Sequence, residues 1–308
     1  VKSIMSIELV LPKDVELTTL LDELRNLSWA AAKVLKAYAR GEQPPYGFPK
    51  YLTIEEGGDG PVSAADLAVN ELLISGLKAK FPSVRWDILS EETAKEKSFK
   101  NSQLEQDWNW ILDPLDGTKD FLQGSENYAV HLALVFKKRP KIGIVLIPER
   151  DELWFGIIGS GSWCENNNGT RKEISFSNRK EISKLILVSS QNHQELRLQN
   201  LIDKMEFGET MKIGSVGCKV ASILRGESDV YISLSGKTSP KDWDMAAPQV
   251  IIEAAGGAFT HANGKDLVYG SLDYSQRGCL IASHGKLHEK ICQKIESFFI
   301  DNEPEYIL

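Results

Sequence analysis

Residues 108–118 are Trp108-Asn-Trp-Ile-Leu-Asp113-Pro-Leu-Asp116-Gly-Thr118. The first five are rich in aromatic and branched side chains, which is typical of a short buried strand. Two carboxylates, a proline, a glycine and a hydroxyl follow directly. Because functional side chains concentrate where a rigid element gives way to a turn, we predict a site at the end of this strand.

The residue types in this turn favour metal and phosphate chemistry. Pro114 fixes one backbone dihedral between the two acids, and Gly117 permits a sharp reversal. The two aspartates and the Leu115 carbonyl can therefore converge on one point, and convergent oxygens suit Mg²⁺. The amides of Gly117 and Thr118 are placed to face an anion. An ordinary turn is the alternative interpretation, because Asp, Pro and Gly are common turn formers.

The composition is that of an ordinary globular protein. The 308 residues are 42% hydrophobic and 26% charged, with room for two sub-domains. A net charge of −7 argues against a nucleic-acid polymer or an anionic membrane surface as partner. Four widely spaced cysteines favour reduced thiols, and no signal-peptide pattern or membrane-length apolar run is present, so we expect a cytoplasmic protein.

The first part of the chain contains acids with ordinary structural explanations. Apolar residues at helical spacing predict a long amphipathic helix over residues 17–38, and residues 41–60 are predicted to form a loop. Ser63-x-x-Asp66 precedes a second apolar run, which is a helix-capping pattern. The strand predicted after residue 84 ends in Glu91-Glu92, and a solvated strand end would account for that pair.

The second part of the chain is predicted to be a separate α/β unit. Strands and helices alternate after about residue 180, a pattern typical of layered α/β structure. Asp242-Trp-Asp244 opens one of these helices, where an acid is favoured by capping and by the helix dipole. His284 and His288 lie four residues apart, but no third metal ligand is nearby in the sequence.

The acids and their order resemble the inositol monophosphatase superfamily of metal-dependent, lithium-sensitive phosphatases. The set is Asp66, Glu91, Asp113-x-x-Asp116-Gly-Thr118 and Trp243-Asp244, and the likeness covers about residues 61–257. It implies an α/β fold, a layered α-β-α-β-α sandwich. In this interpretation residues 1–180 form an N-terminal α+β domain that binds metal. Residues 181–308 form a C-terminal α/β domain that completes the site and binds the nucleotide.

The resemblance also implies a mechanism, the metal-assisted hydrolysis of a phosphate monoester. Mg²⁺ would be the cofactor, with two ions or three, the third near the acidic loop at 55–59. The implied ligands are Glu91, Asp113 and the Leu115 carbonyl for one ion, and Asp113, Asp116 and Asp244 for the other. Thr118, hydrogen-bonded to Asp66, would orient and deprotonate the attacking water. The implied substrate contacts are Gly117, Thr118, Lys119, His193, Ser215, Lys219 and Asp244.

Within the superfamily the sequence is most similar to the 3'(2'),5'-bisphosphate nucleotidases. The matching segments are Asp116-Gly-Thr-Lys119-Asp-Phe121, Ser189-Ser-Gln-Asn-His193, Lys219 seven residues before Gly226, and Trp243-Asp-Met-Ala-Ala-Pro248. Two departures are Ser215-Val-Gly217, which is closer to inositol monophosphatases, and Ser233, where several nucleotidases have arginine.

The likeness implies that the protein removes the 3'-phosphate of 3'-phosphoadenosine 5'-phosphate, or of its sulfated analogue, as a monomer or homodimer. Inositol monophosphatase activity, alone or as a second activity, is the alternative within the same enzyme class. A catalytically silent metal- or nucleotide-binding protein is the alternative from another class. The silent protein is disfavoured because every residue that the resemblance implies for catalysis is present.

Overall fold

The computed structural model describes residues 10–51, 54–57, 60–96, 104–191, 196–235 and 238–302. Eight α-helices and fourteen β-strands lie in these ranges. The helices are α1 (Leu17–Ala39), α2 (Ala64–Lys80), α3 (Glu91–Glu96), α4 (Thr118–Leu122), α5 (Leu196–Met205), α6 (Val216–Leu224), α7 (Asp242–Ala254) and α8 (His288–Asn302). The strands of the first half are β1 (Ile54–Gly57), β2 (Gly60–Ser63), β3 (Asp87–Ser90), β4 (Trp108–Asp116), β5 (Ala129–Phe136), β6 (Arg139–Ile147), β7 (Glu152–Ile157), β8 (Gly161–Glu165) and β9 (Arg171–Lys172). Those of the second half are β10 (Ile186–Ser190), β11 (Glu209–Ile213), β12 (Val230–Leu234), β13 (Ala258–His261) and β14 (Cys279–Ser283), and short 3₁₀ turns occupy Pro148–Arg150 and Ile182–Lys184.

These elements stack in five layers, so the predicted α-β-α-β-α sandwich is confirmed. Helices α1 and α2 cover one face of a seven-stranded sheet, and α6 and α7 cover its other face. The same two helices also pack on a five-stranded sheet, so that one buried cluster joins both halves of the chain. Helices α5 and α8 cover the outer face of this second sheet. The domain boundary near residue 180 stays a prediction.

The seven-stranded sheet has the strand order β3 to β9, and the predicted acids lie at the carboxyl ends of its first two strands. Strands β3 and β4 are parallel, so their carboxyl ends lie side by side. Glu91 follows β3, and Asp113 and Asp116 lie at the end of β4. The topology thus brings together acids that are far apart in the sequence.

Helix α7 packs directly against the backbone of two strand glycines in this sheet. A Cβ at Gly143 would lie 2.7 Å from Val250 Cβ, and one at Gly156 would lie 2.7 Å from the Ile251 Cα. Such distances are shorter than van der Waals contact, so a larger residue would push the helix away. This close packing holds the first turn of α7, with Asp244, against the edge that carries Asp113.

Four local predictions were wrong in detail. Within the predicted loop at 41–60, residues 54–57 form strand β1, which pairs antiparallel with β2; the strand was missed because main-chain pairing needs no apolar pattern. Glu91 and Glu92 begin α3 and do not end a strand; acids in a first turn are favoured by the helix dipole. Strands β11 and β13 were missed, because both are half exposed at the edges of their sheet and carry no apolar run.

The four cysteines are packed in the core, and His284 and His288 have polar neighbours. All four cysteines are buried and free. His288 bonds with Ser283 and Thr260, whereas His284 faces Asp229, so the two histidines do not converge on one point. No helix in the described ranges is both long and apolar enough to cross a membrane.

Candidate active site

The end of β4 presents two carboxylates on one side of the sheet. Residues three apart on a regular strand point to opposite faces, but the pairing of β4 with β5 shifts register between Asp113 and Asp116. The Leu115 amide donates to Asp113 Oδ1 over 3.0 Å, which holds the bulged conformation. The irregularity allows both acids to reach the same point.

Asp244 joins this pair from the other half of the chain. It lies in the first turn of α7, where its Oδ2 accepts the Lys241 amide over 2.5 Å. One oxygen each from Asp113, Asp116 and Asp244 lies within 4.8 Å of the others. The expected capping role and the expected ligand position are therefore compatible, since the carboxylate has two oxygens.

The electrostatics of this cluster fit a divalent cation. Burial and then the charges of Glu91, Asp116 and Asp244 raise the pKa of Asp113 well above its usual range. Burial and then the charge of Asp116 do the same to the pKa of Asp244. Crowded buried carboxylates are stabilised in their charged form only by a positive partner. Hard oxygen donors in this number could bind a metal such as Mg²⁺.

Glu91 lies beside the cluster and is paired with a lysine. The Lys95 ammonium lies 2.9 Å from Glu91 Oε1 and 3.2 Å from Glu92 Oε1. Burial raises the pKa of Glu91, which also hydrogen-bonds with Asp113. Lys95 was not predicted, because it lies in a polar, Lys-rich stretch that gave no helical signal.

The Thr118 hydroxyl lies 3.1 Å from both Asp66 Oδ1 and the Leu115 carbonyl oxygen, and it can donate to either. Asp66 Oδ2 accepts the Ser63 amide over 2.8 Å and the Ser63 hydroxyl over 2.5 Å. Asp66 is thus both the capping acid of α2 and the partner of Thr118. Burial raises the pKa of Asp66, which makes its carboxylate a stronger base.

The turn between these residues requires glycine. Gly117 has φ 93°, in the left-handed region, and a Cβ there would lie 3.1 Å from the Asn127 carbonyl oxygen. Thr118 then begins the short helix α4, and the next residue, Lys119, is exposed. The chain reverses here as the sequence predicted.

Helix α6 brings a hydroxyl and a buried cation to the cluster. Ser215, which has φ 48°, donates its hydroxyl to Asp116 Oδ2 over 2.5 Å. Lys219 is only 4% exposed, and its ammonium lies 5.3 Å from the centre of the Tyr231 ring. Burial lowers its pKa, and among the described residues no carboxylate lies within 4.0 Å of its ammonium. Lys219 therefore places a buried amino group next to the metal-binding acids, with no carboxylate of the described ranges in ion-pair contact.

His131 is a site residue for which the sequence offered only a weak signal, a lone histidine within the apolar strand β5. Its Nδ1 lies 3.2 Å from the Trp243 carbonyl oxygen and its Nε2 lies 3.2 Å from Asp116 Oδ2. Of the predicted contacts, His193 lies outside the described residues. So do residues 58–59 of the acidic loop, and the side chains of residues 55–57 are not described either.

Comparison with known proteins identifies the family of this chain. The family model "Inositol monophosphatase family" matches residues 16–298. The 3'(2'),5'-bisphosphate nucleotidase CysQ of Buchnera aphidicola is 30% identical over 73% of this chain and 80% of its own length. Inositol monophosphatase 1 of Bos taurus is 27% identical over 79% of this chain and 84% of its own. A crystal structure of an IMPase/NADP phosphatase complexed with Mg²⁺ and phosphate has a TM-score of 0.68 at 22% identity, covering 90% of this chain and 95% of that one. The chain therefore belongs to the inositol monophosphatase family of phosphatases.

Proposed function

We propose that this protein is a magnesium-dependent phosphomonoesterase that converts 3'-phosphoadenosine 5'-phosphate, or its sulfated analogue, to the 5'-nucleotide and phosphate. The observation that carries the proposal is the Thr118–Asp66 pair, 3.1 Å apart, next to the three-carboxylate cluster. A cluster of oxygens alone could store a cation. A hydroxyl with its own basic partner beside that cluster supports hydrolysis.

The described side chains suit two magnesium ions. Glu91, Asp113 and the Leu115 carbonyl would hold one, and Asp113, Asp116 and Asp244 would hold the other. When bound, the ions lower the pKa of an attacking water and offset negative charge on the leaving oxygen. Because the Lys95 ammonium already lies 2.9 Å from Glu91, we favour two ions over three.

The chain itself provides the path for the proton. Thr118 would orient the water, accept its proton and pass its own hydroxyl proton to Asp66 Oδ1. Burial raises the pKa of Asp66, so its carboxylate accepts that proton more readily than an exposed one. The two Ser63 bonds to Oδ2 keep the other oxygen directed at Thr118. The new P–O bond forms from the water oxygen as the bond to the 3'-oxygen breaks, and the released 3'-oxygen takes up a proton from solvent water.

The substrate assignment depends on cations beyond the reacting phosphate. An adenosine bisphosphate carries a second phosphate, and the buried Lys219 ammonium would bind an anion at little further desolvation cost. The exposed Lys119 and the Gly117 amide are proposed as further anion contacts, with Ser215 and Asp244 also near the substrate. His193 remains a proposed contact. The name of the Buchnera relative, 3'(2'),5'-bisphosphate nucleotidase, supports the same substrate class.

Inositol monophosphatase activity is the second candidate. The segment Ser215-Val-Gly217 favours it, because this segment resembles inositol monophosphatases more than nucleotidases. The relative Inositol monophosphatase 1 of Bos taurus supports the same candidate. Steady-state phosphate release with Mg²⁺ distinguishes the two candidates. We expect the highest kcat/KM with 3'-phosphoadenosine 5'-phosphate; a higher value with inositol 1-phosphate would contradict the nucleotide assignment, and no release from either would contradict the enzyme.

We further infer that the protein works in the cytoplasm on small phosphate esters, as a monomer or homodimer. Four buried free thiols suit a reducing compartment. The net charge of −7 disfavours a nucleic-acid polymer as substrate.

A further inference from the structure

His131 lies between Asp116 and the main chain next to Asp244. It is fully buried in β5, directly opposite Asp113 on β4 in the sheet pairing. Directly opposite residues of paired strands point to the same face, so the imidazole lies on the face that carries the acids. It contacts Asp116 on the neighbouring strand and the carbonyl of Trp243, the residue before Asp244.

The two contacts of the ring differ in kind. A carbonyl oxygen can only accept, so the 3.2 Å contact with Trp243 requires a proton on Nδ1. The Nε2 atom is also 3.2 Å from Asp116 Oδ2, but it makes no well-directed hydrogen bond there. The bond to Trp243 is therefore the stronger constraint, and the contact with Asp116 limits how far that carboxylate can move.

The start of α6 is shaped to leave room for this ring. A Cβ at Gly217 would lie 2.4 Å from His131 Nε2. The Gly217 amide donates to Asp116 Oδ2 over 3.1 Å, and the Ser215 hydroxyl donates to the same oxygen. The ring, the amide and the hydroxyl thus all contact one oxygen of Asp116.

We propose that His131 is a positioning residue that sets the separation between Asp116 and Asp244 and thereby the metal affinity of the cluster. This rests on the proposed function, since it assumes that the cluster holds the metal. Asp116 is fixed by β4 and Asp244 by α7, and these elements are more than a hundred residues apart in the chain. The His131 ring contacts both Asp116 and the main chain next to Asp244.

Two near-isosteric substitutions separate the contacts. The amide nitrogen of His131→Asn can occupy the position of Nδ1 and keep the bond to Trp243. The amide nitrogen of His131→Gln can reach the position of Nε2 but cannot replace Nδ1. Partners behind a metal ligand typically contribute 10- to 100-fold in affinity, so we expect His131→Gln to weaken Mn²⁺ binding at least about tenfold. We expect His131→Asn to weaken it less than about threefold, because Ser215 and the Gly217 amide still hold Asp116.

The test measures Mn²⁺ binding to the metal-free full chain by electron paramagnetic resonance, without substrate. His261→Gln, a partly buried histidine on β13, is the matched control and should bind Mn²⁺ as the wild type does. Thermal unfolding in EDTA checks that each variant is folded. A purely structural role would lower the unfolding temperature without a selective loss of metal affinity, and that result would overturn the proposal, as would equal affinities of the Asn and Gln variants.

If His131→Gln does not fold, nitrogen NMR of labelled histidine in the wild-type protein decides, because the proposal requires a protonated Nδ1. An unprotonated Nδ1 would overturn it. If the wild-type protein bound no Mn²⁺ and Asp113→Asn left phosphate release unchanged, the proposed function itself would fail. Unchanged Mn²⁺ affinity in folded His131→Gln would overturn only the role of His131.

Discussion

Replacing Asp113 with asparagine should change stability and activity in opposite directions. The substitution keeps the shape of a side chain that is only 1% exposed but removes its charge. Two unit charges no more than 4.8 Å apart, as in this cluster, repel by roughly 3.5 kcal/mol at an effective dielectric constant of about 20. The folded acids relieve part of this by taking up protons. We therefore expect Asp113→Asn to stabilise the metal-free protein by about 1.5 kcal/mol, less than half of one pair's repulsion.

Magnesium should reverse the order of stability. An ion at 100 times its dissociation constant stabilises the wild-type protein by about 2.7 kcal/mol. With an unfolding entropy of about 2.1 cal/mol/K per residue, 308 residues give roughly 0.65 kcal/mol/K, so this corresponds to an increase in Tm of about 4 °C. The stabilisation of Asp113→Asn in EDTA corresponds to about 2 °C on the same scale. The variant should gain little from Mg²⁺, because Asp113 would contact both ions.

The assay is thermal unfolding in EDTA and in Mg²⁺, together with phosphate release. We expect kcat/KM of Asp113→Asn to fall by at least about 10²-fold, as when charge in a transition state is left unstabilised. Asp107→Asn is the control, since that carboxylate precedes the same strand, is 65% exposed and pairs with Lys137 only at 3.7 Å. Retention of more than about a tenth of wild-type turnover, or a full Mg²⁺ stabilisation of the variant, would refute the metal assignment.

Four further predictions concern individual groups. Thr118→Val should lower kcat by about 10²- to 10⁴-fold with KM nearly unchanged, measured by steady-state kinetics at saturating Mg²⁺; an unchanged kcat would exclude a role for the hydroxyl. Lys219→Met should lower kcat/KM for 3'-phosphoadenosine 5'-phosphate about tenfold and leave inositol 1-phosphate unaffected, with exposed Lys212→Met as control. An equal loss on both substrates would mean that Lys219 does not contact the nucleotide specifically. Lithium chloride should inhibit where equal sodium chloride does not, because Li⁺ is small and oxygen-seeking but carries half the charge of Mg²⁺; identical rates would remove this expectation. Burial raises the pKa of Glu92 from 4.5 to about 7, so the folded state keeps a proton that the unfolded state loses above pH 4.5. The stability that this retained proton contributes is fully present below pH 4.5 and is lost as the pH rises through 7. The Tm of the wild type relative to Glu92→Gln in EDTA should therefore fall between pH 5 and 8, and a constant difference would contradict the assignment.

The local sequence determined much of this protein. The turn at residues 113–118 followed from proline and glycine backbone preferences, and the amphipathic period predicted α1 almost to the residue. The order of the acids indicated the superfamily and with it the five-layer sandwich. The turn and the helix depend on neighbours in the sequence, whereas the superfamily and its fold came from a resemblance that spans residues 61–257.

Only the tertiary structure brought the site together. Asp244 meets Asp113 because α7 packs tightly against strands that contain Gly143 and Gly156, and nothing in the spacing of these residues encodes that approach. Edge strands were missed because they have half-exposed patterns. His131 and Lys95 have no local motif, since their importance comes from what lies opposite them after folding. Local spacing determines which residues can form a turn or a helix, whereas burial and long-range packing decide which charges face one another.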